Sequence, residues 1–102
     1  MELRTKIDLG PEQLEEVRRI LAETGPGVLV WAHGSRTKGT ARRTSDLDLI
    51  VFVEAGDRRL HALREAFEES DLPIIVDVHV WDEIPAEWRA RIELGKVELV
   101  SG

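Results

Sequence analysis

Apolar positions recur along this chain with two periods, and they predict alternating helices and strands. Between Pro11 and Thr24, Leu14, Val17, Ile20 and Leu21 share one face at helical spacing. Pro11 suits the first helical position, and Gly25-Pro26 ends the helix. Glu15 and Arg19 add a surface pair in the order that the helix dipole favours. Gly27 to Ala32 carries the run Val28-Leu29-Val30-Trp31 and reads as a buried strand. Asp46 to Val53 alternates, with Leu47, Leu49, Val51 and Val53 on the core side. Gly56-Asp57 predicts a turn, and Arg58 to Glu69 a second amphipathic helix with Leu60, Leu63 and Phe67 inward. Pro73 to Trp81 is a third strand, its core side formed by Ile74, Val76, Val78 and Val80. Ile84 to Gly95 predicts a last helix, with Trp88, Ile92 and Leu94 supplying apolar contacts and Trp81 and Trp88 assigned to the core. Lys96 to Val100 closes as a short strand. This alternation implies one mixed α/β domain in two layers over residues 1–102.

Composition narrows the class. With 102 residues, 42% of them hydrophobic, the chain can bury a real core, which excludes a disordered one. No apolar run approaches the ~20 residues of a membrane helix. Met1 to Gly10 carries Glu2, Arg4, Lys6 and Asp8, unlike a signal peptide. The absence of cysteine excludes disulfides, thiolate zinc sites and cysteine nucleophiles. A cytoplasmic protein with no membrane partner is the expectation. The net charge of −6 argues against nucleic acid as the main partner.

Against that acidic background, residues 33–45 stand apart. They hold Gly34, Ser35, Gly39 and four cations, Arg36, Lys38, Arg42 and Arg43, with no acid. A strand followed by Gly-Ser and a helix start presents backbone N–H groups to phosphate. Gly34 and Gly39 have the separation of a P-loop, but Thr40 stands where the lysine belongs, so this is not one. Asp46 and Asp48 then share one strand face, their α-carbons roughly 6.5 Å apart. Such a pair repels itself unless water or a cation compensates. Oxygen ligands without cysteine or histidine suit magnesium, and paired ions roughly 3.5–4 Å apart clamp a phosphoryl group during in-line displacement. From the pair alone, two solvated aspartates remain the alternative. Asp77 interrupts the apolar third strand on the face of Ile75, His79 and Trp81. If that strand lies beside Asp46–Val53, three carboxylates converge opposite the phosphate turn. His79 is read as a structural histidine, with assistance in proton transfer as the alternative, and His61 as a surface residue.

Gly34-Ser35, ten intervening residues and Asp46-Leu47-Asp48 resemble the signature of the minimal nucleotidyltransferases in the polymerase-β-like superfamily. Gly39, Ala41, Arg42 and Ser45 fit its usual filling, and Asp77 matches its third acidic position. The resemblance implies a polymerase-β-like α+β fold, a small mixed sheet with helices packed on one face. It also implies nucleotidyl transfer, in which a hydroxyl attacks the α-phosphate of a nucleoside triphosphate and pyrophosphate leaves. Asp46, Asp48 and Asp77 would be the catalytic metal ligands for two magnesium ions, with Asp77 beside the attacking hydroxyl as its base. Gly34 and Ser35 would hold the β- and γ-phosphates, and Arg36 and Ser45 would complete the nucleotide-binding set. His33 departs from the family, which commonly has an aromatic or apolar residue there.

Small stand-alone members are similar to the antitoxins of HEPN/MNT toxin–antitoxin pairs, which transfer AMP from ATP to a tyrosine of a HEPN-family ribonuclease toxin. A short chain leaves no room for a further acceptor-holding domain, so a partner protein that brings its own hydroxyl is implied. The chain has no tyrosine of its own to modify. None of its three histidines lies in a ribonuclease-type Arg-x4–6-His pattern, so it is not the toxin. Two alternatives stay open: neutralisation by contact alone, and a catalytic subunit of a two-chain transferase acting on a small molecule. A homo-oligomer is compatible with either.

Overall fold

Pro11 opens helix α1, Pro11–Thr24, where its missing N–H is no loss and its fixed φ suits the first turn. Gln13 accepts a hydrogen bond from the Gly10 N–H at 3.4 Å, and the Gly25 N–H closes the helix on the Leu21 carbonyl. Val17, Ile20 and Leu21 face inward. These features belong to a computed structural model describing residues 7–38 and 45–100, apart from the side chains of Ser35 and Lys38. The expectations for Gly39, Ala41, Arg42 and Arg43 lie outside the described residues.

Four strands follow the predicted order: β1 (Val30–His33), β2 (Leu47–Val51), β3 (Val76–Val80) and β4 (Val97–Val100). They form one mixed sheet in the order β3-β2-β1-β4. β1 is antiparallel to β2 and β4, whereas β2 and β3 are parallel. A parallel pair needs a crossover, and helix α3, Arg58–Glu69, lies within it. Asp57 caps α3, its carboxylate accepting from the Arg59 N–H at 2.8 Å and pairing with the Arg59 guanidinium. These contacts pull the Asp57 carboxyl down to about 2.

One face of the sheet is covered by α1 and α3. Val30, Ala32, Leu47, Leu49, Val51, Val78 and Val80 meet Val17, Ile20, Leu21, Leu60, Leu63 and Phe67 in a continuous aliphatic core. Gly25 lets the two helices close: a Cβ there would meet the Leu63 side chain at 3.0 Å.

The opposite face holds a smaller cluster of Trp31, Ile50 and Ile92, the last from helix α4, Ala86–Gly95. Trp31, Phe52 and Trp81 pack ring on ring, with centroids 4.6 to 5.4 Å apart. Arg89 lies over Trp81 and donates to the Trp81 and Ile84 carbonyls. α4 begins at Ala86, two residues later than predicted, because Ile84 precedes Pro85 and is thereby kept extended. Its helical wheel also differs from the prediction. Ile92 is buried, but Leu94 is 90% exposed and Trp88 48% exposed, so neither belongs to the core. No helix among the described residues is long and apolar enough to cross a membrane.

Candidate active site

The site is built by strand register. In the parallel pair β2/β3, Asp48 stands beside Asp77; in the antiparallel pair β1/β2, Asp48 stands opposite His33. All three lie on the face away from α1 and α3, since their neighbours Ala32, Leu47, Leu49 and Val78 are buried beneath those helices. Ile50 pairs with His79 one step further along the same face. Asp48, Asp77 and His79 therefore converge, each offering a ligand atom within 4.8 Å of the others.

His79 Nε2 is 3.5 Å from Asp48 Oδ1. The hydrogen bond with Asp48 raises the His79 pKa above its ordinary value. The negative charges of Asp48 and Asp77 add to this, against partial burial and the Arg64 guanidinium. The other carboxylate oxygen, Oδ2, faces the turn that follows β1. Gly34 sits there at φ +100°, and a Cβ on it would come within 2.8 Å of Asp48 Oδ2. Glycine is thus required twice at one position, by the backbone angle and by the carboxylate. Thr37 then ties the turn, its N–H and hydroxyl both donating to the Gly34 carbonyl.

Arg36, expected from the motif beside the nucleotide, lies at the base of the turn. It is 5% exposed, and its guanidinium donates to the carbonyls of Ser45 at 3.0 Å and Asp8 at 2.6 Å. Asp8 N–H returns a hydrogen bond to the Arg36 carbonyl. Arg36 thereby braces the short helix α2, Ser35–Lys38, against the segment entering α1 and against the start of β2. Ser45, half-buried, takes part through its backbone carbonyl.

Of the three predicted carboxylates, the structure brings Asp48 and Asp77 together. Asp46 is exposed, one residue ahead of β2, and lies outside the converging group. The ladder starts at Leu47, so register does not hold the Asp46 side chain. His79 takes the third place. The signal for it was present, two residues beyond Asp77 on the same face, but a periodicity argument cannot say which strand lies alongside. His61 is on the surface of α3 as expected.

Two carboxylates side by side on an otherwise apolar strand pair form a hard oxygen donor set with a cradle left open by Gly34, which fits a magnesium ion. A cleft of about 320 Å³ runs from Asp48 and His79 toward α4, lined further on by Ile50, Ile84, Trp88 and Ile92.

Residues 14–98 match the family described as Nucleotidyltransferase domain. The chain belongs to this family. The nucleotidyltransferase is also 42% identical over 93 residues to a Haemophilus influenzae protein named probable protein adenylyltransferase MntA, covering 85% of this chain and 78% of that one. Its fold is similar to that in the crystal structure of a toxin-antitoxin with AMP-PNP, with a TM-score of 0.69 and 21% identity over 87% of this chain and 73% of that one. A crystal structure of a mutant toxin-antitoxin MntA-HpeT is similar at a TM-score of 0.68 and 18% identity, with the same coverage. The expected fold class and the expectation of a nucleotidyl-transferring enzyme are both borne out. The mixed sheet with its two longest helices on one face is the scaffold of that family.

Proposed function

We propose that this nucleotidyltransferase moves AMP from ATP to a tyrosine hydroxyl of a partner HEPN-family toxin, and acts in the cytoplasm as its antitoxin. The observation that carries the reading is the register pair Asp48–Asp77 facing the Gly34 turn, in a chain 42% identical to a protein named as a protein adenylyltransferase. Support for the toxin partner comes from the two similar toxin-antitoxin structures.

In this mechanism the Gly34-Ser35 turn holds the β- and γ-phosphates through backbone N–H groups. Arg36 keeps that turn in register with β2 from below. Asp48 and Asp77 would hold magnesium, with Asp46 turning in from the residue ahead of β2 to complete the set for two ions, whose charge would offset that developing on the phosphate oxygens. Asp77 accepts the proton of the attacking hydroxyl. The tyrosine oxygen forms a bond to the α-phosphorus, the bond to the bridging oxygen breaks, and pyrophosphate leaves with the electron pair.

The test is the intact mass of the partner that co-purifies with the protein, incubated with magnesium and ATP. The partner gains AMP with the unmutated enzyme and gains none with Asp48→Asn. A partner that is neutralised with its mass unchanged in both samples would replace transfer by inhibition through contact.

A further inference from the structure

Asp48 and Asp77 face different openings of the molecule, and His79 stands at both. Asp48 lines the cleft toward α4, Asp77 lines the groove along the outer edge of β3, and His79 lines each of them. Strand register explains the meeting. His79 pairs with Ile50, one step past the Asp48–Asp77 pair on the same face, so its ring reaches back diagonally toward Asp48. One ligand atom from each of the three side chains then falls within 4.8 Å of the others.

A structural histidine, the expectation from the sequence, is enclosed and closely bonded. His79 is neither. Its side chain is 49% exposed, between Val78 and Val80, which turn into the core. Its Nε2 lies 3.5 Å from Asp48 Oδ1, beyond the length of about 2.7–3.2 Å for a relaxed N–H···O bond. That separation suits two donors on one ion: tetrahedral bonds of about 2.0–2.2 Å place neighbouring ligand atoms roughly 3.3–3.6 Å apart.

The two carboxylates alone make a donor set for a hard ion, and an imidazole changes it. Magnesium prefers oxygen ligands in octahedral geometry and gives up its waters reluctantly. Imidazole nitrogen favours borderline ions of the first transition row, and three protein ligands leave a fourth tetrahedral position open. His79 lies outside the motif that supplies the carboxylates, Asp46-Leu47-Asp48 and Asp77.

We propose that His79 is a third metal ligand and makes the nucleotide-free site selective for a first-row transition-metal ion of the zinc class over magnesium. His79 Nε2, one oxygen of Asp48 and one of Asp77 hold the ion. In the proposed transfer reaction magnesium uses the same carboxylates, so the two ions compete for one place. The donor set itself does not depend on that reaction. His61 supplies an internal control: it pairs with Glu65 at 3.7 Å on the surface of α3 and belongs to no group of three ligands among the described residues.

The test uses the whole chain without nucleotide, titrated by calorimetry with zinc and separately with magnesium. Zinc binds at a single equivalent and at least about tenfold more tightly than magnesium. His79→Ala weakens zinc by about ten- to a hundredfold, the scale on which metal sites respond to loss of a supporting partner, and leaves magnesium nearly unchanged. His79→Asp, which puts oxygen where nitrogen stood, strengthens magnesium and narrows the preference. X-ray absorption of the zinc complex shows an imidazole among the ligands, kept in His61→Ala and lost in His79→Ala. Zinc no tighter than magnesium, an oxygen-only zinc environment, or an imidazole that disappears with His61 overturns the assignment. Equal loss of both ions in His79→Ala also overturns it, and would make His79 a positioning residue for Asp48. Nucleotide and acceptor are absent, so this outcome is read separately from AMP transfer.

Discussion

The two faces of one four-stranded sheet follow different rules in this protein. Beneath α1 and α3 the face is aliphatic and closed, and Leu47, Leu49, Val51 and Val80 have no exposure. Each such side chain contributes about 1.5–3 kcal/mol through burial. On the other face the same strands present His33, Asp48 and Asp77 in one row and Trp31, Ile50 and His79 in the next, with Phe52 just beyond β2. α4 covers only the apolar end. Adjacent residues such as Asp48 and Leu49 therefore serve opposite purposes, one half-buried beside another carboxylate, the other locked into the core. Stability and chemistry are separated by the thickness of a strand.

The sharpest way to break this division is to substitute across it. Asp48→Asn is expected to lower nucleotidyl transfer by roughly 10³-fold, since it removes a charged group at the reacting phosphate. Its urea midpoint should stay near that of the unmutated protein. Transfer that survives, or a fold that collapses, would place Asp48 on the structural side of the comparison. Leu49→Ala, one residue on, should cost about 2–5 kcal/mol in urea unfolding, because the site is fully enclosed and collapses only in part.

Gly34→Ala probes the seam between phosphate turn and acid. Its backbone angle and the 2.8 Å approach to Asp48 Oδ2 predict a loss of about 1–3 kcal/mol in stability. Transfer should fall as well, up to about a hundredfold for a carboxylate displaced by an ångström. A change in stability with transfer intact would show that Asp48 can move aside.

The smallest effect is electrostatic. In magnesium-free protein His79 should titrate above its ordinary value of 6.5, and return toward it in Asp48→Asn, as read from its imidazole proton signals. Because the folded pKa is the raised one, the contact stabilises the fold fully below the unfolded pKa. That contribution is lost as the pH rises through the folded value.

Much of this is legible in the chain itself. The period of Leu60, Leu63 and Phe67 predicted α3 over the same residues that the structure shows, and alternation assigned both core faces of β2 and β3. The α4 segment was less legible. Its apolar residues suggested an inward Trp88 and Leu94, but the helix lies over one end of a face and only Ile92 reaches Trp31 and Ile50. A short helix with few apolar positions does not state which side is covered; the neighbouring sheet does. Arg36 shows the same limit in a charged residue. Its position in a basic stretch suggests phosphate, and no local pattern shows that its guanidinium also donates to the carbonyls of Asp8 and Ser45, 28 and nine residues away.

The chain alone determined the elements, the Gly34-Ser35 and Asp46-Leu47-Asp48 spacing, and the face on which Asp48 and Asp77 lie, because these depend on local periodicity and on residue chemistry. Only the tertiary structure decided that Asp48 stands beside Asp77, that His79 completes their group, and that a cleft runs from Asp48 and His79 to Trp88. Those facts depend on which strands pair and in what register. Pairing is set by how the aliphatic face closes under α1 and α3, a cooperative outcome of the whole core that no short segment encodes.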